Sequence, residues 1–202
     1  VRDPEETELG KQIITKGIEL IYETGFDKFT FKKLAITIKS NEPSIYRYFE
    51  NKQQLLAYLH SWYWSWIEYN IDNNLKNIKS FRDKINIIIQ TLTNSFKYDN
   101  NFKHIDEEKL SNIVIRDYQS IFISQDKEKY DTFDAFESLL NRISIVIKEA
   151  YPKYETPNAL AVSLIKFIHD HMFFIINKNK LSEIKNSESL GKFTYKTFFS
   201  NI

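Results

Sequence analysis

The stretch Asn41-Glu-Pro-Ser-Ile-Tyr-Arg-Tyr-Phe-Glu-Asn-Lys-Gln-Gln-Leu-Leu56 holds a short helix with its own start signal and then the opening of a second. The Asn41 side chain suits an N-cap, because its oxygen can accept a backbone N–H of the first turn. Glu42 places an anion at the positive end of the helix, and Pro43 sits where a missing N–H breaks no hydrogen bond. Ile45 and Phe49 lie one turn apart and share a face, which must pack inward. Pro43, Ser44, Tyr46, Arg47 and Tyr48 are left for the outside, and the helix is predicted to end near Phe49. After Glu50 and Asn51 a longer, strongly aromatic helix starts at Lys52 and runs to about Asn70.

Upstream, Ile14, Ile18 and Ile21, with Ile13 and Leu20 beside them, give helical spacing over Glu6 to Thr24. Gly25 stops that helix, since glycine accepts the left-handed backbone of a C-cap. Thr30 then caps a short helix from Phe31 to Ile38, with Phe31, Leu34, Ala35 and Ile38 at helical intervals. Lys39, Ser40 and Asn41 form a tight polar turn. Two short helices joined by such a turn and braced by longer ones make a helix-turn-helix. The second helix of that motif fits the DNA major groove, about 12 Å wide, while basic groups around it hold phosphates.

Downstream, helices are predicted at about Phe81 to Phe96, Asp106 to Ile123, Tyr130 to Ala150, Asn158 to Asn177 and Glu188 to Ser200. Ser80, Thr156 with Pro157, and Ser187 serve as start signals, and Lys97 to Lys103 reads as a polar loop. Nine helices result. Only four glycines and four prolines punctuate 202 residues, too few for a barrel or sandwich, so the fold class is all-α. The expected division is a DNA-binding domain over residues 1–51 and a larger helical domain over 52–202.

Composition removes several alternatives. Hydrophobic residues make up 42% and aromatic ones 15%, enough for a large core and far from a disordered composition. No cysteine occurs, so there is no disulfide framework and no thiolate metal site. The apolar stretch Ile165 to Ile176 is interrupted by Lys166, His169, Asp170 and His171 and falls short of the roughly 20 residues that span a bilayer. The acidic start, Val1 to Gly10, lacks the layout of a signal peptide. No membrane association and a cytoplasmic location are expected. Net charge is only +1, but residues 26–56 hold six basic residues against three acidic ones. A local basic patch is what a phosphate-facing surface needs.

The segment Phe26-Asp-Lys-Phe-Thr-Phe-Lys-Lys-Leu-Ala, followed by Asn41 to Leu56, resembles the DNA-binding signature of the TetR family of repressors. Gly25, Thr30, Leu34, Ala35, Ser44, Ile45, Tyr46, Tyr48, Phe49, Lys52 and Leu55 match it in type and order. The resemblance implies phosphate contacts from Thr30, Ser44, Tyr46 and Lys52. It implies base reading from Lys32, Glu42, Pro43, Ser44, Arg47 and Tyr48, with Lys33 on the same DNA-binding surface. It also implies a homodimer on double-stranded operator DNA, joined through the last two long helices, and a small-molecule effector that shifts the fourth helix and separates the recognition helices. Two positions depart from the family pattern: Lys39 stands where glycine is usual and Ser40 where valine is. Glu42 faces phosphates with the wrong sign.

For the effector, Trp62, Trp66, Phe122, Phe133, Phe136, His169 and Phe173 could line a partly apolar pocket. His169 and His171 diverge by about 200° on a helix, so a shared metal is not expected. No cofactor is expected, and no Gly-rich phosphate loop, His-Glu-x-x-His motif or cysteine nucleophile supports an enzyme. The reading is a ligand-responsive repressor. The alternative is a ligand- or partner-binding helical protein that keeps the fold without recognising an operator.

Overall fold

The computed structural model describes residues 2–94, 102, 104–123, 132–177 and 182–200, with the backbone alone considered at 118–123 and 132. Among these residues there are nine α-helices and no strand. They are α1 (Glu8–Thr24), α2 (Phe31–Thr37), α3 (Glu42–Tyr46), α4 (Lys52–Leu75), α5 (Phe81–Thr93), α6 (Glu107–Ile123), α7 (Thr132–Ala150), α8 (Pro157–Ile176) and α9 (Ser187–Phe199). The fold class and the helix order agree with the periodicity of the sequence. The sequence-predicted helix ends at Phe96 and Tyr130, and loop positions 97–101 and 103, lie outside the described residues.

Local chemistry explains most boundaries. The hydroxyl of Thr7 accepts from Gly10 N–H to start α1, and Gly25, at φ 80, ends it by donating its N–H to the Ile21 carbonyl. Thr30, Asn41 and Ser80 cap α2, α3 and α5 by accepting from Lys33, Ser44 and Asp83 N–H groups. α9 begins with a capping box in which Asn186 and Ser189 exchange side-chain bonds to backbone, so the cap is one residue earlier than Ser187. Thr156 precedes α8 without a side-chain capping bond.

Three features differ from the sequence reading. A 3-10 turn at Pro4–Glu6 precedes α1. α4 runs five residues beyond Asn70, because Ile71 and Leu75 continue the buried row from Ile67 at one-turn spacing. α3 stops at Tyr46 rather than near Phe49, with Arg47 as its C-cap.

Two compact units make up the chain: Val1–Tyr63 with Phe96–Thr132, and Trp64–Ser95 with Phe133–Ile202. In the first, α1 packs on α6 and α2, and α2 packs on α3. Ile13, Ile14, Ile18, Leu34, Ile45 and Leu55 are its fully buried centre. In the second, α5 packs on α9 and α8, and α8 on α9. Leu164, Ile165 and Ile168 on α8 and Leu190 on α9 are buried there. α8 is the one helix among the described residues long and apolar enough to cross a bilayer, yet it also carries Lys166 and Asp170 on its exposed side.

Candidate nucleic-acid interface and effector region

The recognition segment is held from one side by a single buried residue. Ile45 is fully buried, while Pro43, Tyr46 and Arg47 are exposed. The Asn41 side-chain oxygen accepts from both the N–H and the hydroxyl of Ser44, at 3.0 and 2.9 Å. That fixes the first turn and engages the Ser44 hydroxyl locally. Tyr46, half exposed, packs its ring edge-on to Phe31 at 5.2 Å. This contact joins the outer side of α3 to the start of α2, where Thr30 and Lys32 are also exposed.

The turn between α2 and α3 is a complete Schellman motif. Ser40 N–H donates to Ala35 O at 2.9 Å, Lys39 N–H donates to Ile36 O at 3.2 Å, and Lys39 itself has φ 53. The family's usual glycine at this position would take that backbone without strain. Lysine takes it here at a cost of about 1 kcal/mol or more.

Tyr48 corrects the sequence reading. The spacing puts it on the outer side, but it is only 3% exposed and its hydroxyl lies 2.8 Å from that of Thr7. The reason is the early end of α3. After Arg47 the chain turns, Tyr48 and Phe49 N–H groups both return to the Ile45 carbonyl, and both side chains go inward.

Lys52 also uses its charge differently from the phosphate contact that the resemblance implies. Its Nζ donates to the carbonyl oxygens of Phe26 at 3.0 Å, Asp27 at 3.3 Å and Phe29 at 3.4 Å, and lies 4.6 Å from the centre of the Phe26 ring. It ties the turn between α1 and α2 to the first residue of α4. Lys33 donates to the Lys28 carbonyl at 2.7 Å. Lys28, Lys32, Lys33, Lys39 and Arg47 are all exposed, and Glu42 is half exposed among them.

In the second unit, Trp66, Phe136 and His169 are buried, and Phe173 is exposed. Phe133 is half-buried. Trp64, absent from the sequence-predicted pocket, lies flat against His169 with ring centres 5.2 Å apart and meets Phe136 at 4.9 Å. Burial pushes the His169 imidazole down to about 3, so it is neutral at physiological pH. Trp62 belongs to the first unit, where its ring meets Phe102 edge-on. The Phe122 side chain lies outside the described residues. A cleft of about 470 Å³ opens elsewhere in the second unit, between α5 and α9, lined by Arg82, Asn86, Gln90, Lys192 and Tyr195 among others. None of the sequence-predicted pocket residues borders it. Among the described residues no three His, Asp or Glu side chains are grouped to hold a metal.

These arrangements define a helix-turn-helix protein with a second helical unit. Residues 13–59 match the family described as bacterial regulatory proteins, tetR family. Over 44 residues the chain is 43% identical to the tetracycline repressor protein class G of Vibrio anguillarum, a match that spans 22% of this chain and 21% of the repressor. The matched segment is thus about a fifth of that relative's length. The whole fold is similar to the fatty acid degradation regulator FadR of Bacillus halodurans, with TM-score 0.72, 14% identity and coverage of 95% and 94% of the two chains. It is also similar to the regulator FadR of Bacillus subtilis solved with stearoyl-CoA, with TM-score 0.67, 15% identity and coverage of 95% and 98%. Over residues 13–59, then, the chain is similar to the tetR family of bacterial regulatory proteins, and over its whole length it shares the fold of such regulators.

Proposed function

We propose that the protein is a cytoplasmic transcriptional regulator that binds a palindromic operator as a homodimer and releases it on binding a small, partly apolar effector. DNA contact is assigned to residues 1–51, and effector binding and dimerisation to 52–202. The observation that carries the reading is α3 itself, a capped rod with one side sealed by Ile45 and the other presenting Pro43, Tyr46 and Arg47. Arg47 suits a guanine edge and Pro43 a thymine methyl, while Tyr46 and Thr30 suit phosphates.

The dimer is assigned to α8 and α9. Val162, Phe173 and Phe193 are exposed there, and Phe193 lies in an aromatic group with Phe167 and His171. A two-fold partner supplies the second half-site reader that a palindrome about 34 Å in repeat requires. For the effector, the stearoyl-CoA found in a protein of the same fold supports an acyl thioester as the first class to test. Trp66, Phe136 and His169 are its proposed surroundings.

Selection of fragments from the source genome with the purified chain, followed by anisotropy titration of the retained sequence, tests this function. Binding should weaken with salt and fall at least tenfold in Arg47→Ala and Tyr46→Ala. Equal affinity in wild type and both variants would overturn the assignment of α3 as reader. A second reading, a ligand- or partner-binding protein without an operator, is favoured by Glu42 at the head of α3. It predicts that no genomic fragment is retained even at low salt.

A further inference from the structure

The described residues before α1 form a strap that passes beside the C-terminus of α3. The N–H of Arg2 donates to the Arg47 carbonyl at 3.1 Å, so the two arginines leave backbones one hydrogen bond apart. The strap is fixed at Asp3, Pro4, Glu5 and Thr7. Asp3 caps the 3-10 turn by accepting from Glu5 N–H at 2.8 Å, and Pro4 is buried. The Glu5 carboxylate accepts from the Tyr58 hydroxyl at 2.7 Å and pairs with His104 Nε2 at 2.7 Å. The Thr7 and Tyr48 hydroxyls meet at 2.8 Å. Gly10 is part of the same fit, because a Cβ there would lie 2.2 Å from the Pro4 carbonyl oxygen.

Asp3 caps the turn and Glu5 is engaged by Tyr58 and His104, whereas the Arg2, Glu6 and Arg47 side chains are exposed. Lys52, the residue from which a phosphate contact would be sought, holds backbone carbonyls instead. We propose that Arg2 is a further DNA-contacting residue, its guanidinium taking a backbone phosphate at the edge of the half-site that α3 reads. This rests on the operator-binding function proposed above. The backbone tie holds Arg2 beside Arg47, the exposed residue proposed to read a base, and a phosphodiester is the anion that the α3 surface would meet there.

The test is a salt titration of operator binding by the full chain, wild type against Arg2→Ala, Arg2→Lys and Gly10→Ala. Loss of one phosphate contact lowers the slope of log K against log salt by about 0.9, which is roughly fivefold in affinity at about 0.15 M salt. Arg2→Ala should show that change, and Arg2→Lys should restore the slope. Gly10→Ala should show the same loss with no change in charge, by pushing Pro4 and the strap away, although alanine favours the α1 helix. An unchanged slope in Arg2→Ala overturns the proposal. So does a loss that Arg2→Lys fails to restore and that depends on flanking base sequence, since that outcome means base reading. If wild type retains no DNA, the operator-binding function fails and this contact with it; if wild type binds and only Arg2→Ala is silent, the contact alone fails.

Discussion

The ammonium of Lys52 donates to the carbonyl oxygen of Phe26 at 3.0 Å and at the same time lies over that residue's ring. One cation therefore fastens the α1–α2 turn to the N-terminus of α4, across 26 residues of chain. The position of α2, and of α3 packed on it, depends on that fastening.

Lys52→Met should accordingly cost about 1.5 to 3 kcal/mol of stability, the range for hydrogen bonds from a charged donor. Operator affinity should drop with it, while the salt slope stays that of wild type. Chemical denaturation and salt titration together decide the matter; a slope reduced by about one would mean that Lys52 also reaches a phosphate.

Lys39→Gly addresses the left-handed residue in the turn. Removing the Cβ relieves a positive φ, and the flexibility that glycine adds to the unfolded chain offsets part of the gain. A net stabilisation of about 0.5 to 1 kcal/mol is expected, read as a raised denaturation midpoint. A lowered midpoint would show that the lysine side chain contributes more than its backbone strain costs.

Phe193→Asp places a charge in the exposed aromatic group of α9. Sedimentation should report a dimer for wild type and a monomer for the variant, and operator binding should weaken by at least tenfold because half-sites are no longer read in pairs. A dimer that survives this change would move the two-fold axis away from α9.

His169 sets a pH limit on stability. Burial holds its folded imidazole near 3, below the ordinary value of about 6.5, so the unfolded chain takes up the proton first on acidification. Its neutral form stabilises the fold fully above about pH 6.5. That contribution is lost as pH falls from there toward 3, by up to about 1.4 kcal/mol per pH unit. His169→Phe, which preserves a ring against Trp64, should flatten this acid limb between pH 7 and 5. A variant whose midpoint falls as steeply as wild type would place the titrating group elsewhere.

The helices were legible because their start and stop signals are local. Gly25, Thr30, Asn41 and Ser80 each act within a few residues of themselves, and the structure shows them capping or ending helices. Tyr48 was not legible because a helix about three residues shorter reverses the direction of the side chains that follow, and nothing in the spacing of Ile45 and Phe49 registers that end. The row Ile67, Ile71, Leu75 was hidden by the asparagines among it. The strap was invisible for another reason: a three-residue turn has no periodicity, and the contact of Gly10 with Pro4 exists only once the chain has folded back. Around His169, the sequence offered Trp62, Trp64 and Trp66 at steps of about 200°, and only packing shows that Trp64 takes the stacked place.

α6 shares a compact unit with the helix-turn-helix segment. α6 covers α1, and the Thr15 hydroxyl donates to the His104 carbonyl at 2.6 Å. Cutting the polypeptide at residue 51 would therefore strip α1 of a wall and leave its isoleucines in water. A portable helix-turn-helix grafted from this protein would have to bring α6 along, and a screen of such truncations would fail at the shortest pieces for want of a lid, not for want of the exposed side chains of α3.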